Sequence, residues 1–138
     1  MPKLFYKDKF GSINITLEDN IITAEFTGAV SVGIATYLLE KGRELKSVIR
    51  VPYWGYISNS LKAEASTPEA QKILLQAAAE YQQAGCIRAV FLLTSPIAIA
   101  QMEALRAAVG ITEPFSDVLF DNYHDAKAHL DKYLSNFK

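Results

Sequence analysis

The sequence predicts an α/β fold in which an N-terminal β-hairpin is followed by alternating helices and strands. Near the start, apolar residues alternate with polar ones, and from about residue 30 they recur at helical spacing. Residues 86–93 (CIRAVFLL) form a nearly continuous apolar run, which is typical of a strand covered on both faces. We therefore expect a mostly parallel, mixed sheet with helices packed against it, as one domain over residues 1–138.

The hairpin comes first. Residues 13–17 (INITL) alternate apolar and polar side chains, as a half-buried strand does. Asp19 and Asn20 favour a tight turn, and residues 21–28 then continue as a second strand that Gly28 is expected to end.

A helix and a third strand follow the hairpin. Apolar positions at helical spacing predict a first helix over about residues 31–46, with Ser31 as its N-cap. The aromatic and β-branched stretch after Pro52 predicts a strand. From Asn59 onward the sequence resembles a loop that runs into the next helix.

The second helix has the strongest start signal in the chain. Thr67 is a natural N-cap, Pro68 fits the first helical position, and Glu69 favours the positive end of the helix dipole. Gly85 is expected to end the helix. Its predicted buried stripe comprises Ile73, Leu74, Ala77, Ala78 and Tyr81.

The last two helices flank a short strand at residues 116–120. Ser95 opens the third helix and Gly110 closes it. Either Asp121 or Asn122 caps the fourth. The inward positions of the third helix are Ile99, Met102, Leu105 and Val109, and those of the fourth are Ala126, Leu130, Tyr133, Leu134 and Phe137. The expected order is β-β-α-β-α-β-α-β-α.

Composition excludes several classes of function. A formal net charge of −1 gives no basic excess for binding nucleic acid. The single cysteine, Cys86, excludes an internal disulfide and suits a reducing compartment. The sequence has neither the apolar run of a signal peptide nor one long enough for stable membrane insertion, so we expect a cytoplasmic protein.

Four stretches carry a resemblance to a known family: WGYISNSL, STPEA, IRAVFLLTSPIA and FDNYHDAKAHLDKYL. Together with the element order, they make most of residues 11–136 resemble the STAS-like (SpoIIAA-like) fold of anti-sigma-factor antagonists. The closest likeness is to short bacterial STAS-like proteins of unknown function. The resemblance implies a non-catalytic regulatory or protein-interaction module with a protein partner.

The phosphoacceptor serine of that family has no counterpart here. The family carries an Asp-Ser-Ser/Thr-Gly-like loop at the start of the helix after the third strand. An ungapped match places Thr67 and Pro68 there, and no Asp-Ser-Gly pattern occurs nearby. Ser66 and Thr67 remain candidate modification sites, but helix capping alone explains hydroxyl side chains at this position.

The sequence shows no catalytic, cofactor-binding or metal-binding residues, so we do not expect an enzyme. His124 and His129 lie five residues apart on one predicted helix, which turns them about 140° away from each other at ~100° per residue. Cys86 has no histidine nearby in sequence to act as its base. The glycines form neither a GxGxxG nor a GxxxxGK[ST] motif.

The architecture predicts where a ligand or partner would bind. In open α/β sheets, ligands bind at the carboxyl ends of the parallel strands, where helix N-termini present free N–H groups. Polar side chains that are expected to form this rim are Ser58, Asn59, Ser60, Ser66, Thr67, Thr94, Ser95, Asp121 and Asn122.

An alternative function rests on the aromatic cluster Tyr53, Trp54 and Tyr56. Such a cluster either fills the core between sheet and helix or lines a small apolar pocket. STAS-like folds are also similar to CRAL-TRIO lipid-transfer domains, which implies binding of a small apolar ligand or lipid.

The N-terminal arm is more apolar than a free tail, with Leu4, Phe5, Tyr6 and Phe10. We expect it to cover either the sheet edge of its own domain or that of a second copy. The latter predicts a homodimer.

Overall fold

The computed structural model describes residues 4–137, which form a six-stranded mixed sheet with helices on both faces. In chain order the elements are β1 (Leu4–Lys7), β2 (Gly11–Glu18), β3 (Ile21–Val30), α1 (Val32–Lys46), β4 (Trp54–Ser66), α2 (Pro68–Gln83), β5 (Cys86–Leu92), α3 (Pro96–Ala108), a 3₁₀ turn (Phe115–Asp117), β6 (Leu119–Phe120) and α4 (Tyr123–Ser135). The strands follow chain order across the sheet; β1 to β3 are antiparallel and β3 to β6 are parallel. The predicted fold class is confirmed.

The side chains of β4 show how the helices are divided between the two faces. The rings of Trp54 and Tyr56 lie 5.2 and 5.3 Å from the ring of Tyr81 on α2. Gly55 instead faces α4, where an added Cβ would come within 2.8 Å of a methyl carbon of Leu130. Because successive side chains of a strand point to opposite faces, α2 and α4 cover opposite sides of the sheet.

The N-terminal arm covers the edge of its own sheet. Residues Leu4–Lys7 form β1, antiparallel to β2, and Tyr6 stacks on Tyr37 of α1 with ring centroids 5.3 Å apart. The carboxylate of Asp8 accepts a hydrogen bond from the Ser31 hydroxyl at the start of α1. The predicted element order was wrong in omitting this strand, because four residues are too few to show a pattern. Homodimerisation stays a prediction.

The hairpin turn is as predicted, but the second strand is longer. Asp19 and Asn20 connect Glu18 to Ile21, and Asp19 has a left-handed φ of 56°. Gly28 does not end β3, which continues to Val30 through a bulge. Gly28 has a φ of +77°, and an added Cβ would lie 2.7 Å from the carbonyl oxygen of Phe10. The glycine is required by the bulge rather than by a strand end.

Strand β4 extends through the segment predicted to be a loop. It pairs with β5 only as far as Asn59, and beyond that point Lys62 and Ala63 pair with β3. Residues 59–66 were therefore wrongly predicted, because none of their side chains is buried, half are exposed, and they lack a strand-like apolar pattern. Backbone pairing with β3 holds this extension in place.

The predicted helix caps are confirmed. A side-chain oxygen of each N-cap accepts a hydrogen bond from the backbone N–H three residues later, for Ser31, Thr67, Ser95 and Asn122. Gly85 and Gly110 follow α2 and α3 with positive φ. Phe137 was wrongly placed on the fourth helix: α4 ends at Ser135, and the exposed Phe137 ring lies against those of Tyr53 and Tyr133.

Candidate functional site

An open groove of about 240 Å³ lies between α2 and α3. Its floor is the sheet face formed by β4 and β5, including Tyr56, Ser58, Ala89 and Phe91. The walls are helical, and their lining side chains include Gln71, Leu74, Ala77 and Ala78 of α2 and Ala98, Gln101, Met102, Leu105 and Arg106 of α3. Most of these side chains are apolar.

The groove exists because the apolar stripe of α3 is only partly covered. Its predicted inward residues, Ile99, Met102, Leu105 and Val109, are all half-buried rather than buried. On the facing helix, Ala77 and Ala78 are too small to close the gap. An accessible apolar channel of this kind is typical of a ligand-binding cleft.

The groove also has a polar portion along β4. The buried Ser58 hydroxyl lies 3.4 Å from that of Ser60. The Ser66 hydroxyl donates to the side-chain carbonyl of Gln101 at 3.3 Å, and Gln71 donates to the Ser66 carbonyl at 3.3 Å. These hydroxyl groups form hydrogen bonds mainly with one another and with neighbouring amide groups. The rest of the groove lining is mainly apolar.

A buried arginine stands in the α3 wall. Arg106 is 6 % exposed; its Nη1 donates to the Glu113 carbonyl at 3.1 Å, and its guanidinium lies 5.3 Å from the Phe115 ring centroid. Burial lowers the pKa of Arg106 from its ordinary value. We did not predict this residue, although the sequence contains a signal: Arg106 lies four residues after Met102 and three before Val109, on the inward stripe.

A second polar cluster ties β5 to α4. The Nε of Arg88 donates to Nε2 of His129 at 3.0 Å, and its Nη1 contacts the Glu113 carboxylate at 2.9 Å. Its guanidinium also lies 4.3 Å from the Tyr133 ring centroid. Because His129 accepts through Nε2, the ring carries its proton on Nδ1. Nowhere in residues 4–137 do three or more His, Cys, Asp or Glu side chains form a group that could hold a metal ion.

The His129 contact predicts a loss of stability in acid. Burial, and then the charge of Arg88, lowers the pKa of His129 in the folded protein. The stabilising effect of neutral His129 is therefore fully present above the unfolded pKa of about 6.5 and is lost as the pH falls through the lowered folded pKa. Urea denaturation at pH 7.5 and pH 5 measures the free energy of unfolding that is lost between the two pH values. This loss should be smaller for His129→Gln than for wild type.

His124 provides the matched control, because it is exposed on the same helix. His124→Gln should lose as much stability between the two pH values as wild type does. If His129→Gln behaved in the same way as His124→Gln, the His129–Arg88 contact would have no role in the acid loss.

Cys86 and Arg88 lie on opposite faces of the sheet because β5 is irregular between them. Cys86 pairs with Trp54, while Arg88 pairs with Gly55 on the side that faces α4. Burial raises the pKa of the Cys86 thiol to about 12, and the thiol donates to the Arg88 carbonyl at 3.6 Å. A thiol with this pKa is not a nucleophile at neutral pH.

The predicted rim residues separate into two groups. Ser58, Ser60 and Ser66 line the groove, and the first two do so from within β4 rather than from its end. The others do not line the groove. Thr67, Ser95 and Asn122 serve as helix caps, Thr94 and Asp121 are exposed, and the side chain of Asn59 accepts from the Leu61 N–H at 3.4 Å.

The three aromatic residues of the predicted pocket also occupy different places. Tyr56 lines the groove. Trp54 packs in the core, where its indole N–H donates to the Ala84 carbonyl at 3.1 Å. Tyr53 instead contacts Phe137 on the far side. Of these three aromatic residues, only Tyr56 could therefore contact a ligand in the groove.

Thr67 is a structural cap, as its hydroxyl accepts from the Ala70 N–H at 3.1 Å. Thr67→Ala should cost about 1 kcal/mol of unfolding free energy, whereas Thr67→Asp should be tolerated because aspartate also caps and suits the helix dipole. Thermal denaturation checks both, with Thr112→Ala as a control at an exposed threonine outside the helices. A neutral Thr67→Ala, together with a phosphate on Thr67 in the native protein, would contradict the capping role.

Exposed apolar side chains lie at the end of the sheet toward which the parallel strands run, which we call its carboxyl edge. Val32 and Ile97 stand in the first turns of α1 and α3 and are 44 % and 65 % exposed. Leu61 lies in the part of β4 that extends beyond β5, and Thr67 is exposed at the start of α2. We refer to Val32, Leu61, Thr67 and Ile97 as the carboxyl-edge surface.

No helix formed by residues 4–137 has both the length and the apolar character needed to cross a bilayer.

Comparison with known proteins identifies the fold. Neither a protein-family model nor a curated protein sequence matches this chain. Among solved structures, the phosphorylated form of the Bacillus cell fate determinant SpoIIAA matches with a TM-score of 0.59 and 14 % identity, over 88 % of this chain and 98 % of that chain. The unphosphorylated form of the anti-sigma factor antagonist SpoIIAA matches with a TM-score of 0.61 and 11 % identity, over 87 % and 96 %. The chain therefore has the STAS-like fold of SpoIIAA.

Proposed function

We propose that this chain is a non-catalytic protein-interaction module of STAS-like type that binds a partner protein through its carboxyl-edge surface. The observation that carries the proposal is the exposure of Val32, Leu61 and Ile97 toward the carboxyl ends of the parallel strands, since apolar side chains exposed at the same end of a sheet suit contact with a partner protein. SpoIIAA, which has the same fold, is an anti-sigma factor antagonist.

The chemistry of the chain supports a role without catalysis. Cys86 is separated by the sheet from His129, and the His129 ring is held by Arg88. At the helix start where SpoIIAA-like proteins carry a phosphorylated serine, Pro68 has no hydroxyl and that of Thr67 caps the helix. We propose that partner binding here does not depend on a phosphoserine. Cytoplasmic location and self-association remain predictions.

Substitution of Ile97 tests the proposal. Tagged wild-type protein and Ile97→Glu should be used to capture proteins from a lysate of the cells that naturally make this chain, with quantitative mass spectrometry as the readout. Val48→Glu is the matched control, because Val48 is 51 % exposed in the connection between α1 and β4, at the opposite edge of the sheet. A partner that binds wild type and Val48→Glu but not Ile97→Glu is expected. Equal capture by all three proteins would contradict the proposal.

A second candidate function, binding of a small apolar ligand, is favoured by the groove between α2 and α3. Its lining is mainly carbon, and its volume of about 240 Å³ approaches the range of about 300–1,000 Å³ usual for small-molecule pockets. Native mass spectrometry of protein purified from its own host should then show a co-purifying small molecule. A clean apo mass, combined with failure of added amphiphiles to bind, would contradict this candidate.

A further inference from the structure

We infer that the groove between α2 and α3 binds a monoanionic amphiphile, a fatty-acid-type carboxylate of medium chain length, with its carboxylate paired to Arg106. This inference rests on the second proposed function, ligand binding in the groove. It adds the chemical class of the ligand and the residue that recognises it.

Arg106 supplies the charge argument. A buried guanidinium is costly unless an anion or several hydrogen bonds compensate its lost hydration. None of the ion pairs formed within residues 4–137 involves Arg106, and its one hydrogen bond to a protein atom there is Nη1 to the Glu113 carbonyl. The remaining N–H donors are available to a carboxylate, which guanidinium binds through two parallel hydrogen bonds.

The surrounding carboxylates indicate a single negative charge. Glu113, Asp117 and Glu103 all favour the charged form of Arg106, yet burial, together with the charge of Arg88, outweighs them and lowers its pKa. The Glu113 carboxylate is itself paired with Arg88 at 2.9 Å. A ligand with two negative charges would meet repulsion from these acidic groups, and a cationic ligand would be repelled by Arg106. A carboxylate with one charge compensates Arg106 and meets about half the repulsion that a ligand with two charges would meet.

The apolar lining next to Arg106 fits a hydrocarbon chain. Met102 and Leu105 stand on the same helix wall, Leu74 faces them from α2, and Phe91 forms part of the floor. A neutral apolar ligand would leave the guanidinium without an anion. At about 240 Å³, the groove favours a chain of medium length over a long membrane lipid.

Calorimetric titration with decanoate, 1-decanol and decyltrimethylammonium tests the inference on the wild-type protein. Decanoate should bind at least about tenfold more tightly than decanol, as a charge-assisted hydrogen bond implies, and the ammonium should bind weakest. The variant Arg106→Met should lose this preference and bind decanoate about 10- to 100-fold more weakly, while Arg106→Lys should keep much of it. Arg50→Met, at an exposed arginine, is the control for net charge.

The two proposals fail differently. If decanol binds as tightly as decanoate, the groove is a ligand site but the role of Arg106 is wrong. If none of the three amphiphiles binds, ligand binding in the groove is wrong as well. Filling the groove with Leu74→Trp should abolish decanoate binding, and unchanged binding would place the ligand elsewhere. The comparison of the three ligands on wild type decides the charge preference even if Arg106→Met does not fold.

Discussion

Replacing Trp54 with alanine is expected to lower the free energy of unfolding by about 3–5 kcal/mol. Trp54 is 1 % exposed and is the largest fully buried side chain of the described residues. Its ring packs edge-on against Tyr81, and its indole N–H donates to the Ala84 carbonyl at the end of α2. The substitution removes this packing, leaves a cavity beneath α2 and leaves the carbonyl without its donor.

Urea denaturation followed by circular dichroism measures this loss. Tryptophan fluorescence cannot be used, because Trp54 is the single tryptophan of the chain and the variant lacks it. Trp54→Phe serves as the graded control. It keeps an aromatic ring against Tyr81 but lacks the N–H donor, so it should cost clearly less than Trp54→Ala. A loss below about 1 kcal/mol for Trp54→Ala would contradict its place in the core.

Leu130→Ala is expected to cost about 2–5 kcal/mol through the opposite face of the sheet. Leu130 is 0 % exposed and lies directly over Gly55, where no side chain could expand to fill the space. It holds α4 on the sheet together with Ala126 and Leu134, which are also buried.

The same denaturation assay checks this prediction. Lys132→Ala is the matched control, because Lys132 is exposed two residues away on the same helix, and its loss should stay within about 0.5 kcal/mol. Equal effects for Leu130→Ala and Lys132→Ala would mean that α4 is not packed on the sheet as described.

The helices were predictable because local chemistry specifies them. Thr67 with Pro68, and Ser95 with Pro96, combine a capping oxygen with a residue that needs no N–H partner. Gly85 and Gly110 provide the left-handed backbone that follows each of these helices. The residues that form such a signal lie within a few positions of one another in the sequence. The signal can therefore be recognised without knowing the tertiary contacts of the helix.

The strands that were missed lack a local sequence signal. The second half of β4 carries Lys62 and Glu64, which favour neither burial nor a strand, and β3 holds it through backbone hydrogen bonds. Likewise, β1 is fixed by pairing with β2 and by the stacking of Tyr6 on Tyr37. The partner of the second half of β4 lies 35 positions away, as in the pair Lys62 and Thr27. Strand β2 follows β1 directly, but the four residues of β1 are too few to show a pattern.

The groove could not be predicted for a similar reason. An apolar stripe at helical spacing indicates which side of α3 faces inward, but it does not show how completely the neighbouring helix covers it. The contact between Arg88 and His129 joins residues 41 positions apart, so sequence spacing carried no information about it. The inward position of Arg106 was readable from the sequence, and its charge distinguishes the groove from an ordinary core.

Photo-crosslinking from the carboxyl-edge surface tests the central claim, that this surface binds a partner protein, most directly. A photoreactive phenylalanine analogue is placed at Ile97 or, as the control, at Val48, both exposed and at opposite edges of the sheet. Each protein is then irradiated in the cells that naturally make this chain. Our account predicts a discrete crosslinked species with another protein from position 97 and none from position 48. A species that forms equally from both positions, or from position 48 alone, would contradict it.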